Sequence, residues 1–161
     1  MRIVAREGSS RLFTRRFNNR VDTRWRDNHF LWNLLQQEQP KVIIECGAGL
    51  STLVLARGLE THGFGSSNSR SLVSLEQNLA VKKVVETRLQ RCGLDRHVNV
   101  MHSPLSRRGE YQLDPNMLRA HLGSDKADWI ALTALRSRGR SGVDASLALT
   151  VLPSRNTMVF G

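Results

Sequence analysis

The spacing of apolar residues changes period several times along the chain, and each change marks an element. Phe30, Leu31, Leu34 and Leu35 recur at helical intervals, which predicts a helix over Asp27–Gln39 with Asp27 as cap and Pro40 as stop. The run "KVIIE" is short, β-branched and uninterrupted, as a strand buried on both faces should be. Leu53, Ala56 and Leu59 then return to helical spacing over Leu50–His62, ending at Gly63. After the polar stretch "GFGSSNSR" comes a second strand, "SLVSLE". Leu79–Cys92 reads as an amphipathic helix with Val81, Val84, Val85, Leu89 and Cys92 inward and Gly93 at its end. "HVNVMHS" is a third strand. A short helix follows at Pro115–Leu122, framed by Asp114 and Gly123. "DWIALTAL" is a fourth strand, "ASLALTVL" a helix capped by Asp144 and stopped by Pro153, and "NTMVF" a fifth strand.

Strands alternating with helices predict an α/β fold: a doubly wound, mainly parallel five-stranded sheet with helices on both faces. The 161 residues suit one such domain, placed at 27–161 behind an N-terminal arm at 1–26. No internal repeat is visible. Ligands of doubly wound sheets bind beyond the carboxyl ends of the strands. The first strand ends at Glu45, so the turn that follows is the place to look for chemistry.

That turn reads "VIIECGAGLST". Gly47 and Gly49 allow a tight strand-to-helix connection and close approach of a ligand to backbone. Ser51 and Thr52 bring hydroxyls to the first helical turn, where N–H groups are unpaired. A dinucleotide turn wants a third glycine where Thr52 stands, and a P-loop wants a lysine that is absent. Glu45 would repel a pyrophosphate and suits a ligand bearing an ammonium. Glu76 closes the second strand, where a carboxylate can accept from both ribose hydroxyls. The alternative reading of the glycine pair is an ordinary tight αβ turn with no ligand.

"ECGAGLSTLVLA" followed by "LVSLEQN" resembles the class I S-adenosylmethionine-dependent methyltransferases, and the similarity runs from about Trp32 to Phe160. The resemblance implies a Rossmann-like sheet of order 3-2-1-4-5 and S-adenosylmethionine as cofactor. It implies methyl transfer to O or N of an acceptor that the sequence does not identify. By the same resemblance, Glu45 would lie near the methionine ammonium, directly or through water. Gly47 and Gly49 would line the cofactor's backbone side, with Ser51 and Thr52 at the helix start. Glu76 would hold the ribose, Gln77 would border the adenine, and His102 and Ser103 would approach the adenine edge.

Two departures qualify the picture. Members of that family often end the fourth strand in an acid, whereas here Thr133–Leu135 stand there and Arg136, Arg138 and Arg140 follow. No catalytic residue is identified, and the arginines suit an anionic acceptor. The sixth and seventh strands usual in the family are also lacking, which predicts a short member whose exposed sheet edge could pair with a second copy. A non-catalytic binding or assembly module is the alternative.

Charge and cysteines complete the reading. The chain carries a formal charge of +10, and Met1–Arg26 concentrates eight arginines against Glu7 and Asp22. Such an arm fits a solvated basic segment, contact with nucleic acid, as in an RNA-modifying methyltransferase, or a transit peptide. No apolar run approaches the roughly 20 residues of a membrane span, and no secretory h-region precedes the domain. Cys46 and Cys92 fall in apolar patterns and are expected as reduced core thiols, consistent with a cytoplasmic protein. No Cys/His spacing suggests a metal site.

Overall fold

The computed structural model describes residues 13–16, 23–61, 72–107, 110–122, 127–135 and 147–153. Along the chain lie β1 (Phe13–Arg16), α1 (Thr23–Glu38), β2 (Ile43–Cys46), α2 (Leu50–Thr61) and β3 (Leu72–Glu76). They are followed by α3 (Leu79–Arg91), a 3-10 turn at Asp95–His97, β4 (Val98–His102), α4 (Pro115–Leu122), β5 (Trp129–Leu135) and β6 (Leu147–Pro153). One sheet contains all six strands, in the order β1-β6-β5-β2-β3-β4.

Its parallel part is the expected one. β4, β3, β2 and β5 are neighbours in parallel pairing, which is the predicted 3-2-1-4 order. The fifth predicted place is corrected. "ASLALTVL" forms no helix: Leu147–Pro153 is a strand, antiparallel to β5 from Trp129↔Pro153 to Leu135↔Leu147. One physical reason is visible: Thr150 and Val151 favour strand over helix. The predicted strand "NTMVF" lies outside the described residues, as do the 63–70 loop, Gly123, Asp144 and the three arginines at 136, 138 and 140.

The basic arm also enters the sheet. Phe13–Arg16 pairs antiparallel with β6, and α1 begins at Thr23, four residues before the expected start at Asp27. Beyond β5, therefore, the chain itself supplies two antiparallel strands, and among the described residues the outermost strands of the sheet are β1 and β4.

Strand alternation sorts the core into two layers. Ile43, Leu72, Trp129 and Ala131 face α1, α2 and α3, where Leu31, Leu35, Leu55, Leu59, Val85 and Leu89 complete one cluster. Ile44, Cys46, Val73, Leu75 and Ile130 face the other way and pack on Leu118 and Leu122 of α4. The inward face of α3 is narrower than expected: Val85 and Leu89 are buried, whereas Val81, Val84 and Cys92 are exposed. The core needs one stripe of this helix, and the remaining valines fall beside that stripe. Asp128, just before β5, accepts from the N–H groups of Lys41 and Val42 at 2.7 and 2.9 Å, which fixes where β2 and β5 start side by side.

Candidate functional site

The chain leaves β2 to build β3 and β4 on one side, and returns to build β5 on the other. The carboxyl ends of β2 and β5 thus border the switch point of the sheet, where ligands of such sheets bind, and β3 ends beside β2. The connection from β2 to α2 passes through Gly47, whose φ of 95° lies in the left-handed region. Only glycine adopts that without strain. The Gly47 N–H donates to the Leu75 carbonyl at 2.8 Å, which ties the turn to β3. Gly49 differs: a Cβ there would meet nothing within 4 Å, so open space faces the backbone.

Glu45 is placed beneath this turn. Along β2, Ile43 and Glu45 share the α2 side of the sheet, and the residues beside Glu45 in register are small, Ser74 and Ala131. They leave room for a carboxyl group, which is 0% exposed. Its Oε1 accepts from Ser51 Oγ at 2.5 Å; its Oε2 accepts from Thr52 Oγ1 at 2.6 Å and Ser74 Oγ at 2.7 Å. Thr52 Oγ1 in turn accepts from the Gly49 N–H at 2.8 Å. Burial, opposed by the three hydroxyls, pushes the Glu45 carboxyl up to about 7. The sequence suggested an acid at the ligand's ammonium; the structure gives an acid enclosed by hydroxyls that fastens the glycine turn from behind. Thr52 is fully buried, and the hydroxyls of both Ser51 and Thr52 are directed at Glu45.

Glu76 lies at this end of the sheet. It ends β3 and is 7% exposed. Its Oε2 accepts from the Ala48 N–H within the glycine turn at 3.0 Å, and its Oε1 from the Asn78 N–H at 2.7 Å. Each carboxylate oxygen can accept more than one hydrogen bond, so acceptor capacity remains for a ligand. Gln77 and His102 are both exposed beside it, joined where His102 Nε2 lies 3.1 Å from the Gln77 carbonyl oxygen. Ser103 is turned away from that surface. It is 1% exposed, its N–H donates to the Glu76 carbonyl at 2.9 Å, and its hydroxyl donates to the Gln112 carbonyl at 2.9 Å.

The structure thus brings Gly47, Gly49, Glu76, Gln77 and His102 to one open edge, with Glu45, Ser51, Thr52 and Ser103 supporting it from within. Two contributors went unnoticed in the sequence. Ser74 completes the enclosure of Glu45, and only the β2–β3 register reveals it. Tyr111, in the loop after β4, packs against the cluster containing Cys46 and Leu75. Cys46 itself is inert: burial, reinforced by Glu45, pushes its thiol up to about 12. Among the described residues no group of three or more His, Cys, Asp or Glu could hold a metal ion, and no helix is long and apolar enough to cross a membrane.

No protein-family model matches the sequence, and no curated protein matches it. Among solved structures, the chain is similar to a methyltransferase from Geobacter sulfurreducens, at 15% identity over 79% of this chain and 78% of that one, with a TM-score of 0.44. It is similar to the O-methyltransferase from Bacillus cereus in complex with SAH, at 19% identity over 79% and 80%, with a TM-score of 0.46. It is also similar to an RNA methyltransferase from Salinibacter ruber in complex with S-adenosyl-L-homocysteine, at 15% identity over 83% and 96%, with a TM-score of 0.42.

Proposed function

We propose that the chain binds S-adenosylmethionine in the crevice at the ends of β2 and β3 and serves methyl transfer to an acceptor O or N. One observation carries this reading: the Glu76 carboxylate sits against the N–H of Ala48, inside a glycine turn whose Gly49 faces open space. A carboxylate with spare acceptor capacity next to bare backbone suits vicinal ribose hydroxyls, and it disfavours a pyrophosphate. In this reading Glu76 holds the ribose, the Gly47–Gly49 backbone lies along the cofactor, and Gln77 and His102 border its base. Glu45 keeps the turn in shape without touching the ligand.

A bound sulfonium would supply an already activated methyl group. The protein's part is then mainly to hold the acceptor in line and exclude water. Calorimetry with S-adenosylhomocysteine tests the reading. Wild type is expected to bind, and Glu76→Gln, whose NH₂ replaces one of the two oxygens that accept from the Ala48 and Asn78 N–H groups, to bind at least tenfold more weakly and to melt at a lower temperature while still folding. Failure of the wild type to bind, or equal binding by the variant, would overturn it.

The sequence of β5 favours a second reading, because "WIALTAL" ends without a carboxylate, histidine or tyrosine. A non-catalytic module would bind the cofactor and turn over no acceptor. The arginines of residues 1–26 favour nucleic acid as the acceptor or partner in either case.

A further inference from the structure

The loop from Ser103 to Asp114 follows β4, and its fastening points to a role at the same edge. Ser103 joins it to Glu76: the Ser103 N–H donates to the Glu76 carbonyl, and the Ser103 hydroxyl donates to the carbonyl of Gln112. The Gln112 N–H returns to the Pro104 carbonyl at 2.9 Å, and Leu105 and Tyr111 form an antiparallel bridge. Tyr111 is thereby held one residue from a group anchored on the end of β3.

Its ring packs, with Met101 and Leu113, on the cluster that joins Ile44, Cys46, Val73 and Leu75 to Leu118 and Leu122 of α4. That is the sheet face opposite α2 and the Glu45 enclosure. The phenol is half-buried, and burial first, then the nearby Cys46, Glu76 and Glu45, push it up to about 12. Packing on that cluster, together with the Ser103–Glu76 fastening, places the ring near the ends of β2 and β3. Tyr111 also lines an open depression of about 400 Å³ with Ser106, Glu110 and Asp114. The Tyr111 hydroxyl is not among the buried, unpartnered side-chain atoms of the described residues, so it reaches solvent and is open to a ligand.

We infer that Tyr111 is a ligand-contacting residue of the cofactor site: its ring walls the crevice on the side opposite α2, and its hydroxyl donates to the bound nucleoside. The inference rests on the cofactor reading above and adds a wall that the glycine turn and Glu76 leave open. A phenol that keeps its proton throughout the neutral range is a hydrogen-bond donor there, so its part is to orient the ligand and not to deprotonate an acceptor.

Tyr111 is the sole tyrosine of the chain, so tyrosine labelled at the ring ζ carbon gives one NMR signal. The wild-type protein is titrated with S-adenosylhomocysteine and, separately, with adenosine. The signal is expected to move with both, and with S-adenosylhomocysteine to saturate at the calorimetric Kd. Tyr111→Phe, which keeps the ring, is expected to bind S-adenosylhomocysteine about threefold to tenfold more weakly, the loss of one hydrogen bond. Calorimetric binding with an unmoved tyrosine signal would overturn the inference and leave the cofactor reading standing; so would equal affinity of Tyr111→Phe. Absence of binding by the wild type would overturn both. The wild-type signal is read independently of whether any variant folds.

Discussion

Glu45 shows at the scale of one residue how a motif and its environment divide the work. The sequence displayed the acid and its glycines, yet not the direction of the carboxyl group. That direction follows from strand register, because Ser74 and Ala131 flank Glu45 on the α2 side. The consequence is a pH dependence of stability. The carboxyl titrates near 7 in the folded chain against 4.5 unfolded. Between those values the folded state holds a proton that the unfolded state has released, so stability falls as pH rises through this window and levels off above it. The shift corresponds to roughly 3 kcal/mol across the window. Glu45→Gln mimics the neutral form: its amide oxygen faces Thr52 and Ser74, and its NH₂ donates to Ser51 once that hydroxyl turns. Urea unfolding at several pH values is expected to show the variant gaining on the wild type from pH 4.5 to above 7. Parallel pH profiles would mean that Glu45 is ionised in the folded state throughout.

At the scale of elements, periodicity located the parallel strands and helices well and misjudged one helix face and one element. The helix starting at Leu79 was legible through its apolar spacing and its stop at Gly93; the structure adds the cap, Asn78, whose Oδ1 accepts from the N–H groups of Ala80 and Val81 at 2.9 and 3.4 Å. Asn78→Ala is expected to cost about 1 kcal/mol in thermal or urea unfolding. Which valines face inward was not legible, because several apolar stripes fit one helix and packing selects among them. The segment 147–153 was misread for a related reason: in "ASLALTVL" leucines fall at both helical and alternating spacings, and only pairing with β5 decides. Gly58 was passed over entirely. A Cβ at that position would lie 2.7 Å from Leu35 Cδ1, so this glycine sets the distance between α1 and α2. Leu35 is fully buried and has little room to yield. Gly58→Val is therefore expected to destabilise by about 1–3 kcal/mol by overpacking, while Leu35→Ala combined with it recovers part of the loss. If the double variant is less stable than the sum of the singles, the clash with Leu35 is not the cause.

For the molecule as a whole, composition announced a charge of +10 and its concentration before residue 27, and the fold changes what that arm can be. A detachable tail would leave the domain intact when removed. Here Phe13–Arg16 is β1, paired residue for residue with β6, and α1 opens at Thr23. Removing residues 1–22 deletes an outer strand as well as arginines, so weaker binding by such a truncation would not separate charge from fold. Arg2, Arg6 and Arg11 precede β1 and allow the separation. If the arm contacts single-stranded RNA, replacing all three by glutamine should weaken binding and flatten the dependence of log K on log salt. The expected change in slope is about 0.7 for each phosphate no longer neutralised, or roughly 2 for three. The melting temperature should stay at the wild-type value, whereas the 1–22 truncation should lower it. An unchanged salt slope in the triple variant would show that these arginines serve no nucleic acid, and would leave the acceptor to be sought among small anions near the end of β5.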